Sequence, residues 1–441
     1  MTGTLVDAVS QQILHRSRGL AAPVVTGRVV GLSGLVVRVE GLSAYLGEVL
    51  QLSSAGDVLL AEVVAADEHG VACMALGTLD GVRLGEAVRT TGAPLQVPVG
   101  EELLGRVVDG LGRPIDAGPP LAGMERVAVT GVPPHPLLRD RVTRPLGLGA
   151  RVLDTLTTCG RGQRLGIFAG SGVGKSTLLS MVARGTEADV AVLALVGERG
   201  REVREFLEHD LGAGGLARTV VVVATSDAPA LVRLRAAFVA TRIAEHFRDS
   251  GRHVVLMMDS LTRVAMAQRE IGLSAGEPPT TRGYPPSVFG LLPRLLERAG
   301  AAEHGSITGL YTVLVDGDDH NEPIADAARS LLDGHVVLSR RLATAGHFPA
   351  VDVLESVSRA SSAVTSREQR QAAVAVRRLL AAYRDARDLI EVGAYVPGTN
   401  LDVDRAVALL PGIEAFLRQD PEEITGYDQA WEQLAALGVD R

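Results

Sequence analysis

One glycine-rich segment, AGSGVGKST, contains Lys175, which is the only lysine in a chain of 441 residues. An apolar run, Arg164–Ala169, predicts a buried strand just before this segment, and the pattern after it predicts a helix. Glycines between a strand and a helix let backbone N–H groups surround phosphate oxygens, and the helix N-terminus and the lysine favour the same anions. The segment therefore predicts a phosphate-binding loop in an α/β fold. Ala169 stands where the usual pattern has glycine, and because it ends the strand we expect little effect.

We assign the residues of this loop to nucleotide binding. Lys175 is expected to reach the β- and γ-phosphates, and the hydroxyl group of Ser176 is expected to ligate Mg²⁺. The alternative is a glycine-rich loop that arose by chance and binds nothing. The predicted nucleotide-binding residues in this segment are Gly170, Ser171, Gly172, Val173, Gly174, Lys175, Ser176 and Thr177.

Two carboxylates follow other apolar runs and are candidates for the chemistry. Asp259 ends the run that begins at His253, and we expect it to hold Mg²⁺ through water; a helix cap is the alternative. Glu198 follows the run Ala188–Gly197 and would orient an attacking water, unless it belongs to a solvated first helical turn. Arg199 comes next and would pair with Glu198 or contact phosphate. Both carboxylates are expected at the carboxyl edge of a parallel sheet, where such sheets bind ligands.

The pattern of apolar, glycine and polar residues divides the chain into four segments. Residues 1–20 predict a short amphipathic helix that docks a partner or is a frayed terminus. Residues 21–95 contain short valine-rich runs broken by glycine, which predict a small β-barrel, with Gly92–Gly100 as a linker. Residues 96–366 alternate strands and helices, as parallel α/β sheets do. Residues 367–441 predict a small all-α domain.

The individual elements predicted within these segments are as follows. Barrel strands are expected at Thr26–Val30, Leu35–Val39, Val58–Val64 and Val71–Leu76. Core strands are expected at Arg164–Ala169, Val190–Val196, Val220–Ala224, Val254–Met258 and Ile307–Val315. Helices are expected at Ala230–Arg248, Arg367–Ile390, Asp402–Leu410 and Asp428–Leu437.

Composition excludes several classes of protein. Two cysteines, Cys73 and Cys159, are too few for a disulfide framework or a four-ligand zinc site. No run approaches the roughly 18 apolar residues of a membrane-spanning helix, and the N-terminus lacks the layout of a signal peptide. The net charge of −8 argues against nonspecific binding to nucleic acid, which depends on neutralising phosphates.

The segments around the loop resemble a known family. Together with the loop and VGERGREV, the sequence PAVDVLESVS resembles the nucleotide-binding subunits of the rotary ATP synthases. The strings TCGRGQRLGIFAGSGVGKST, EPPTTRGYPPSVF, VDGDDHNEP and LLDGHVVLSRRLA resemble the ATPases of type III export. EVGAYVPGTNLDVDRAV is similar to the flagellum-specific branch. The resemblance covers nearly the whole chain and implies a RecA-like P-loop ATPase core with an N-terminal β-barrel and a C-terminal helical domain.

The resemblance also implies roles for single residues. Glu198 matches the catalytic glutamate, where noncatalytic synthase subunits have glutamine. Arg359 matches the arginine finger that reaches into a neighbouring subunit's site; an ion pair with Glu355 is the alternative. Phe348 matches the aromatic residue that stacks on adenine. With Lys175 and Glu198 on the same chain as Arg359, identical subunits complete one another's sites, which implies a homohexameric ring that uses ATP and Mg²⁺.

The resemblance implies partners and a place in the cell. The expected partners are a peripheral regulator at the N-terminal helix, a coiled-coil stalk protein in the ring channel, complexes of export substrates with chaperones, and the export gate. The loop Gly276–Phe289 is expected to face the channel and the stalk, unless it is a surface loop without a special role. The chain is expected in the cytoplasm, peripheral at the cytoplasmic face of the inner membrane.

Other functions remain open at this point. A virulence secretion ATPase and a true ATP synthase subunit use the same chemistry. A non-hydrolysing nucleotide-binding scaffold and an RNA-translocating hexameric helicase belong to different classes. The helicase is disfavoured because residues 1–95 are net negative and contain one aromatic residue, Tyr45, whereas single-strand binding needs aromatic platforms in a positive groove.

Overall fold

The computed structural model describes residues 26–54, 57–315 and 322–439. The helix predicted over residues 1–20 lies outside these ranges. The chain divides into two compact units, Met1–Leu95 and Gln96–Arg441. In the described residues no helix is both long enough and apolar enough to cross a membrane.

The first unit is a closed antiparallel barrel, as the spacing of the valine-rich runs predicts. Its strands follow the order β1-β2-β5-β4-β3-β6. Alternate residues point inward and form an apolar core that includes Val37, Leu50 and Val63. The sequence did not predict β3 and β6, whose polar residues weaken the apolar signal. The strands are β1 Thr26–Ser33, β2 Val36–Glu40, β3 Glu48–Ser54, β4 Asp57–Asp67, β5 Gly70–Ala75 and β6 Ala87–Pro94.

The second unit is built on a nine-stranded sheet with the order β17-β16-β10-β15-β13-β11-β12-β8, and β14 pairs with β15. The strands from β16 to β8 in this order are parallel, whereas β17 runs antiparallel to β16. A separate pair joins β7 and β9. The strands are β7 Gln96–Val99, β8 Val107–Asp109, β9 Glu125–Ala128, β10 Arg164–Ala169, β11 Val190–Val196, β12 Thr219–Ala224, β13 His253–Asp259, β14 Gly300–Ala301, β15 Ser306–Leu314, β16 Gly334–Leu338 and β17 Val351–Ser358.

Helices cover this sheet and continue to the end of the described chain. The predicted helices at 230–248, 367–390 and 428–437 are each found within two residues of their bounds. The helices are α1 Arg151–Thr155, α2 Lys175–Gly185, α3 Gly200–Glu205, α4 Gly212–Leu216, α5 Ala230–Asp249, α6 Leu261–Ser274, α7 Pro286–Leu296, α8 Pro323–Leu331, α9 Arg340–Thr344, α10 Ser361–Val364, α11 Arg367–Glu391, α12 Leu401–Leu417 and α13 Tyr427–Ala436. A π-helical turn, Phe206–Leu211, separates α3 from α4.

The C-terminal helices share one hydrophobic core with the sheet. Residues of α11 to α13, such as Leu379, Phe416 and Trp431, lie in the same buried cluster as Leu165 of β10. The buried side chain of Arg151 strengthens this contact, because it donates to the backbone carbonyl of Phe416 at 2.9 Å. The helical segment therefore packs on the sheet domain and forms one compact unit with it.

Three predicted boundaries differ from the structure. The stretch 92–100 contains the boundary between the two units, at Leu95 and Gln96, but most of it is strand, because β6 extends to Pro94 and β7 begins at Gln96. The loop predicted over 276–289 ends earlier, at helix α7, which has a proline in its first turn, a favourable position for that residue. Helix α12 does not stop at Leu410 but continues through Pro411 to Leu417. The tertiary contacts of Ile413 and Phe416, which are both buried, account for this continuation.

Candidate active site

The phosphate-binding loop lies at the carboxyl edge of the sheet. Strand β10 ends at Ala169 between β15 and β16, and α2 begins at Lys175. Gly172 and Gly174 adopt φ angles of 74° and 89°, which only glycine adopts without strain. A Cβ atom on Gly174 would also lie 3.2 Å from the ring of Phe348. The strand, loop and helix predicted from the sequence are therefore present with the backbone conformation that a phosphate cradle needs.

Lys175 lies between the two predicted carboxylates. Its Nζ is 2.5 Å from Oδ1 of Asp259 and 3.5 Å from Oε1 of Glu198. Asp259 is the last residue of β13 and Glu198 is the second residue after β11, so the ends of three parallel strands bring these groups together. Asp259 is almost completely buried. The sequence predicted this convergence from the three apolar runs alone.

Asp259 has a second partner that the sequence analysis missed. The hydroxyl group of Thr312, on β15, donates to Oδ1 of Asp259 at 2.8 Å. Thr312 is fully buried, and a polar residue within the apolar run Ile307–Val315 was the available signal. The alternative role of Asp259 as a helix cap is not what the structure shows, because the Ser260 hydroxyl accepts from the backbone of Arg263 at the start of α6. Lys175 and Thr312 both contact the same oxygen of Asp259.

Glu198 lines a cavity beside the loop. Burial raises the pKa of its carboxyl group, and the charge of Asp259 acts in the same direction, while Lys175 opposes both. The cavity has a volume of about 210 Å³. It is lined by Ser176, Leu195, Glu198, Glu202, Val203, Glu205, Phe206, Asp210 and Asp259. The hydroxyl group of Ser176 and the carboxylate of Asp259 are the oxygen donors that Mg²⁺ prefers, so the residues present fit this ion.

Arg199 does not pair with Glu198 as the sequence analysis anticipated. Its side chain is 81% exposed and its Nη1 lies 3.3 Å from Glu202. The reason is local, because Arg199 is the N-cap of α3 and Glu202 lies three residues further along the same turn. A contact between Arg199 and phosphate stays a prediction.

Phe348 lies beside the loop, where the resemblance places it. The residue is 38% exposed, and its ring lies beside Gly174. The backbone is held by Gln419, whose N–H donates to the carbonyl of Phe348 at 2.9 Å. A half-exposed aromatic face next to a phosphate cradle is suited to stacking on a planar base.

Arg359 lies at the opposite edge of the sheet from the loop of its own chain. Because β17 is antiparallel to β16, the last residues of β17 lie beside the first residues of β16 and β10. Two backbone hydrogen bonds show this. The Arg359 N–H donates to the carbonyl of Asp333 at 3.0 Å, and the Asp333 N–H donates to the carbonyl of Arg164 at 2.8 Å. The length of β10, at about 3.3 Å per residue, separates this edge from the loop by roughly 20 Å. The alternative ion pair is not formed, because Glu355 pairs with Arg384 at 2.9 Å.

The site defines a nucleotide-binding core of the P-loop class. It combines a glycine-rich loop, a lysine and two carboxylates that follow strand ends at the carboxyl edge of a parallel sheet. Family models match three parts of the chain: the ATP synthase alpha/beta family β-barrel domain over 29–92, its nucleotide-binding domain over 149–358, and the T3SS EscN ATPase C-terminal domain over 365–436. A flagellum-specific ATP synthase of Bacillus subtilis is 51% identical over 93% of this chain and 94% of its own. A type 3 secretion system ATPase of Xanthomonas euvesicatoria is 49% identical over 94% of each chain.

A solved structure of the assembled ATPase EscN, from the type III secretion system of enteropathogenic E. coli, has a TM-score of 0.88 and 45% identity, and the match covers 93% of this chain and 99% of that one. The chain belongs to the family of export ATPases that contains the flagellum-specific ATP synthases and the type 3 secretion system ATPases. It is a nucleotide-binding ATPase with the fold that the sequence predicted: a barrel, a parallel-sheet core and C-terminal helices.

Proposed function

We propose that this chain hydrolyses ATP to energise protein export for assembly of the bacterial flagellum. The observation that carries the hydrolysis is the placement of Lys175 between Glu198 and Asp259 at the end of the phosphate-binding loop. Flagellum-specific relatives at 51% and 50% identity and the string EVGAYVPGTNLDVDRAV support the flagellar branch. Virulence secretion is the second candidate, favoured by the relative at 49% identity.

The chemistry is an in-line attack of water on the γ-phosphorus of ATP. The loop N–H groups and Lys175 hold the phosphates, and Glu198 orients the water and takes its proton. A bond forms between the water oxygen and phosphorus as the bond to the oxygen of ADP breaks. Ser176, and Asp259 through water, would hold Mg²⁺, which would supply charge stabilisation when bound. The raised pKa of Glu198 suits this base, because a base is most efficient when its pKa approaches the working pH.

Each site is completed by an arginine from the next copy. Arg359 lies at the far edge of its own sheet, is exposed, and forms no ion pair in the part of the chain that the structure describes. It is therefore available to a neighbouring site but not to its own. Repetition of one such contact closes a ring of identical subunits, and a homohexamer fits the family. EscN was solved in an assembled state, which supports this proposal.

The partners follow from the same family. EscN was solved in complex with its central stalk EscO, which supports a coiled-coil stalk protein in the channel of this ring. A peripheral regulator, substrate–chaperone complexes and the export gate complete the proposed set. The ring would work in the cytoplasm at the inner face of the membrane, and nucleic acid has no role in it.

Cells test the flagellar assignment. We expect a strain without this chain to lack flagellar filaments, a copy of the natural sequence to restore them, and a copy with Glu198→Gln to fail while the protein stays abundant. Swimming, filament counts and immunoblots measure this. If the deletion strain has normal filaments but no longer exports the proteins of a virulence secretion system, the chain is a virulence secretion ATPase instead.

Adenine stacking on Phe348 makes a separate prediction. Phe348→Ala removes the aromatic face beside Gly174, and we expect KM for ATP to rise about tenfold with little change in kcat. Phe348→Tyr keeps the ring and should leave KM close to its original value. Steady-state kinetics of the two variants distinguish stacking from a purely structural role, for which kcat and the melting temperature would fall together.

A further inference from the structure

Three arginines line a cavity on the same edge of the sheet as Arg359. The cavity has a volume of about 490 Å³. We call it the arginine cavity, and its lining residues are Asp140, Arg141, Thr143, Arg144, Arg161, His253, Ala301, Gly305 and Ser306. The backbone fixes two of the arginines relative to each other, because the Arg161 N–H donates to the carbonyl of Arg144 at 2.9 Å.

The three arginines of this cavity have no ion-pair partner in the part of the chain that the structure describes. In residues 26–54, 57–315 and 322–439, none of Arg141, Arg144 and Arg161 forms an ion pair. The Nε atom of Arg161 is buried and has no hydrogen-bond partner among the described residues, which is costly for a charged donor. The pKa of His253 is lowered first by burial and then by the positive charge of Arg161. With three arginines against one lining carboxylate, Asp140, the cavity carries a net positive charge.

Its position indicates which molecule supplies them. The neighbouring cavity, of about 330 Å³, contains Arg359 and shares Asp140 and Ala301 with the arginine cavity. In the proposed function, on which this inference rests, Arg359 reaches the nucleotide site of the next copy. The arginine cavity must then face the next copy beside its nucleotide site.

The rim of that nucleotide site carries unpaired carboxylates. Glu205 and Asp210 line the cavity beside the phosphate-binding loop. Neither forms an ion pair in the described part of the chain, whereas Glu202 pairs with Arg199 and Glu208 with Arg204. Glu205 is exposed. Every copy therefore presents unpaired carboxylates next to its nucleotide site and unpaired arginines next to its Arg359.

We propose that the arginine cavity of one copy receives Glu205 and Asp210 of the next copy and so fixes the register in which Arg359 meets the neighbouring nucleotide. Opposite charges across an interface favour the correct docking and penalise like-charge contacts. The occupant is a second copy of this chain, held by the charges of its 205–210 segment.

Charge reversal tests this proposal with the full chain. Variant A carries Arg141→Glu and Arg144→Glu, and variant B carries Glu205→Arg. Alone, each places like charges at every interface, and we expect the concentration for half-maximal assembly to rise at least about tenfold. In an equimolar mixture, alternation of A and B restores opposite charges at every interface. We expect the mixture to assemble within about threefold of the natural chain.

Mass photometry with a non-hydrolysable ATP analogue measures the assembly. Salt at 0.5 M shortens the Debye length to about 4 Å, so it should weaken the natural ring. Arg387→Glu, on α11 and outside the three cavities described above, is the matched control and should assemble normally. If A and B assemble like the natural chain, or if each fails and the mixture does not recover, the proposed contact is wrong. If the natural chain itself does not assemble, the ring of the proposed function is wrong instead. Melting curves identify a variant that fails to fold, in which case Arg141→Glu alone replaces variant A.

Discussion

Glu198→Gln is expected to lower kcat for ATP hydrolysis by at least about a hundredfold and to leave nucleotide affinity nearly unchanged. Glutamine keeps the size of the side chain in the cavity beside Ser176 and Asp259, but it does not accept a proton from water. Removal of a positioned base typically costs between about 10²- and 10⁴-fold in rate. Phosphate release and binding of a fluorescent nucleotide measure the two quantities.

Glu208→Gln is the matched control for this change. Glu208 lies in the same stretch of chain, is exposed and pairs with Arg204, so its loss should change the rate little. An active Glu198→Gln enzyme would transfer the role of base to another group of the cavity and support the alternative in which Glu198 belongs to a solvated first helical turn.

Arg359→Ala is expected to lower kcat by about a thousandfold while assembly and nucleotide affinity persist. An arginine finger stabilises the charge of the transition state, and its removal costs on the order of 10³-fold or more. Arg359 is exposed and unpaired in the described chain, so its removal breaks no internal ion pair. Arg384→Ala removes an arginine that does have a partner, Glu355, and it should leave the rate nearly unchanged.

Mixed rings show whether Arg359 acts across the interface. The Arg359→Ala chain keeps its Glu198, and the Glu198→Gln chain keeps its Arg359, so each homogeneous ring is expected to be inactive. In a mixture, a copy with intact Glu198 has neighbours that supply Arg359, and activity should return. Two inactive preparations that stay inactive after mixing, in rings shown to contain both chains, would place Arg359 outside the neighbouring site.

The sequence was sufficient for the parts of the site that follow from strand ends. Lys175, Glu198 and Asp259 each come at or just after the end of an apolar run, and parallel strands bring their carboxyl ends to one edge. Strands β10 and β11 have the predicted bounds because every residue of β11, and all but one of β10, is buried. The apolar runs in the sequence were therefore enough to locate these strands and the residues of the site that follow them.

Features that depend on contacts between distant segments were not predictable in the same way. Thr312 contacts Asp259 only because β15 and β13 are neighbours, and strand order is not encoded in a local run. The edge strand β17 and its neighbour β16 were not predicted, so the sequence did not show how far Arg359 lies from the phosphate-binding loop of its own chain. The pairing of Glu355 with Arg384 joins β17 to α11, whereas the local sequence suggested only Arg359 as a partner for Glu355.

Lys175 has one consequence for the chemistry of the whole chain. It is the only lysine, so apart from the N-terminal amine every reagent or enzyme that modifies amines has one target, and that target lies in the nucleotide site. Between Asp259 and Glu198 only 13% of the Lys175 side chain is exposed, and a bound nucleotide would cover the amine further. The extent of amine labelling on the intact protein, read by mass spectrometry, therefore measures how many sites are open, without a probe or an engineered residue.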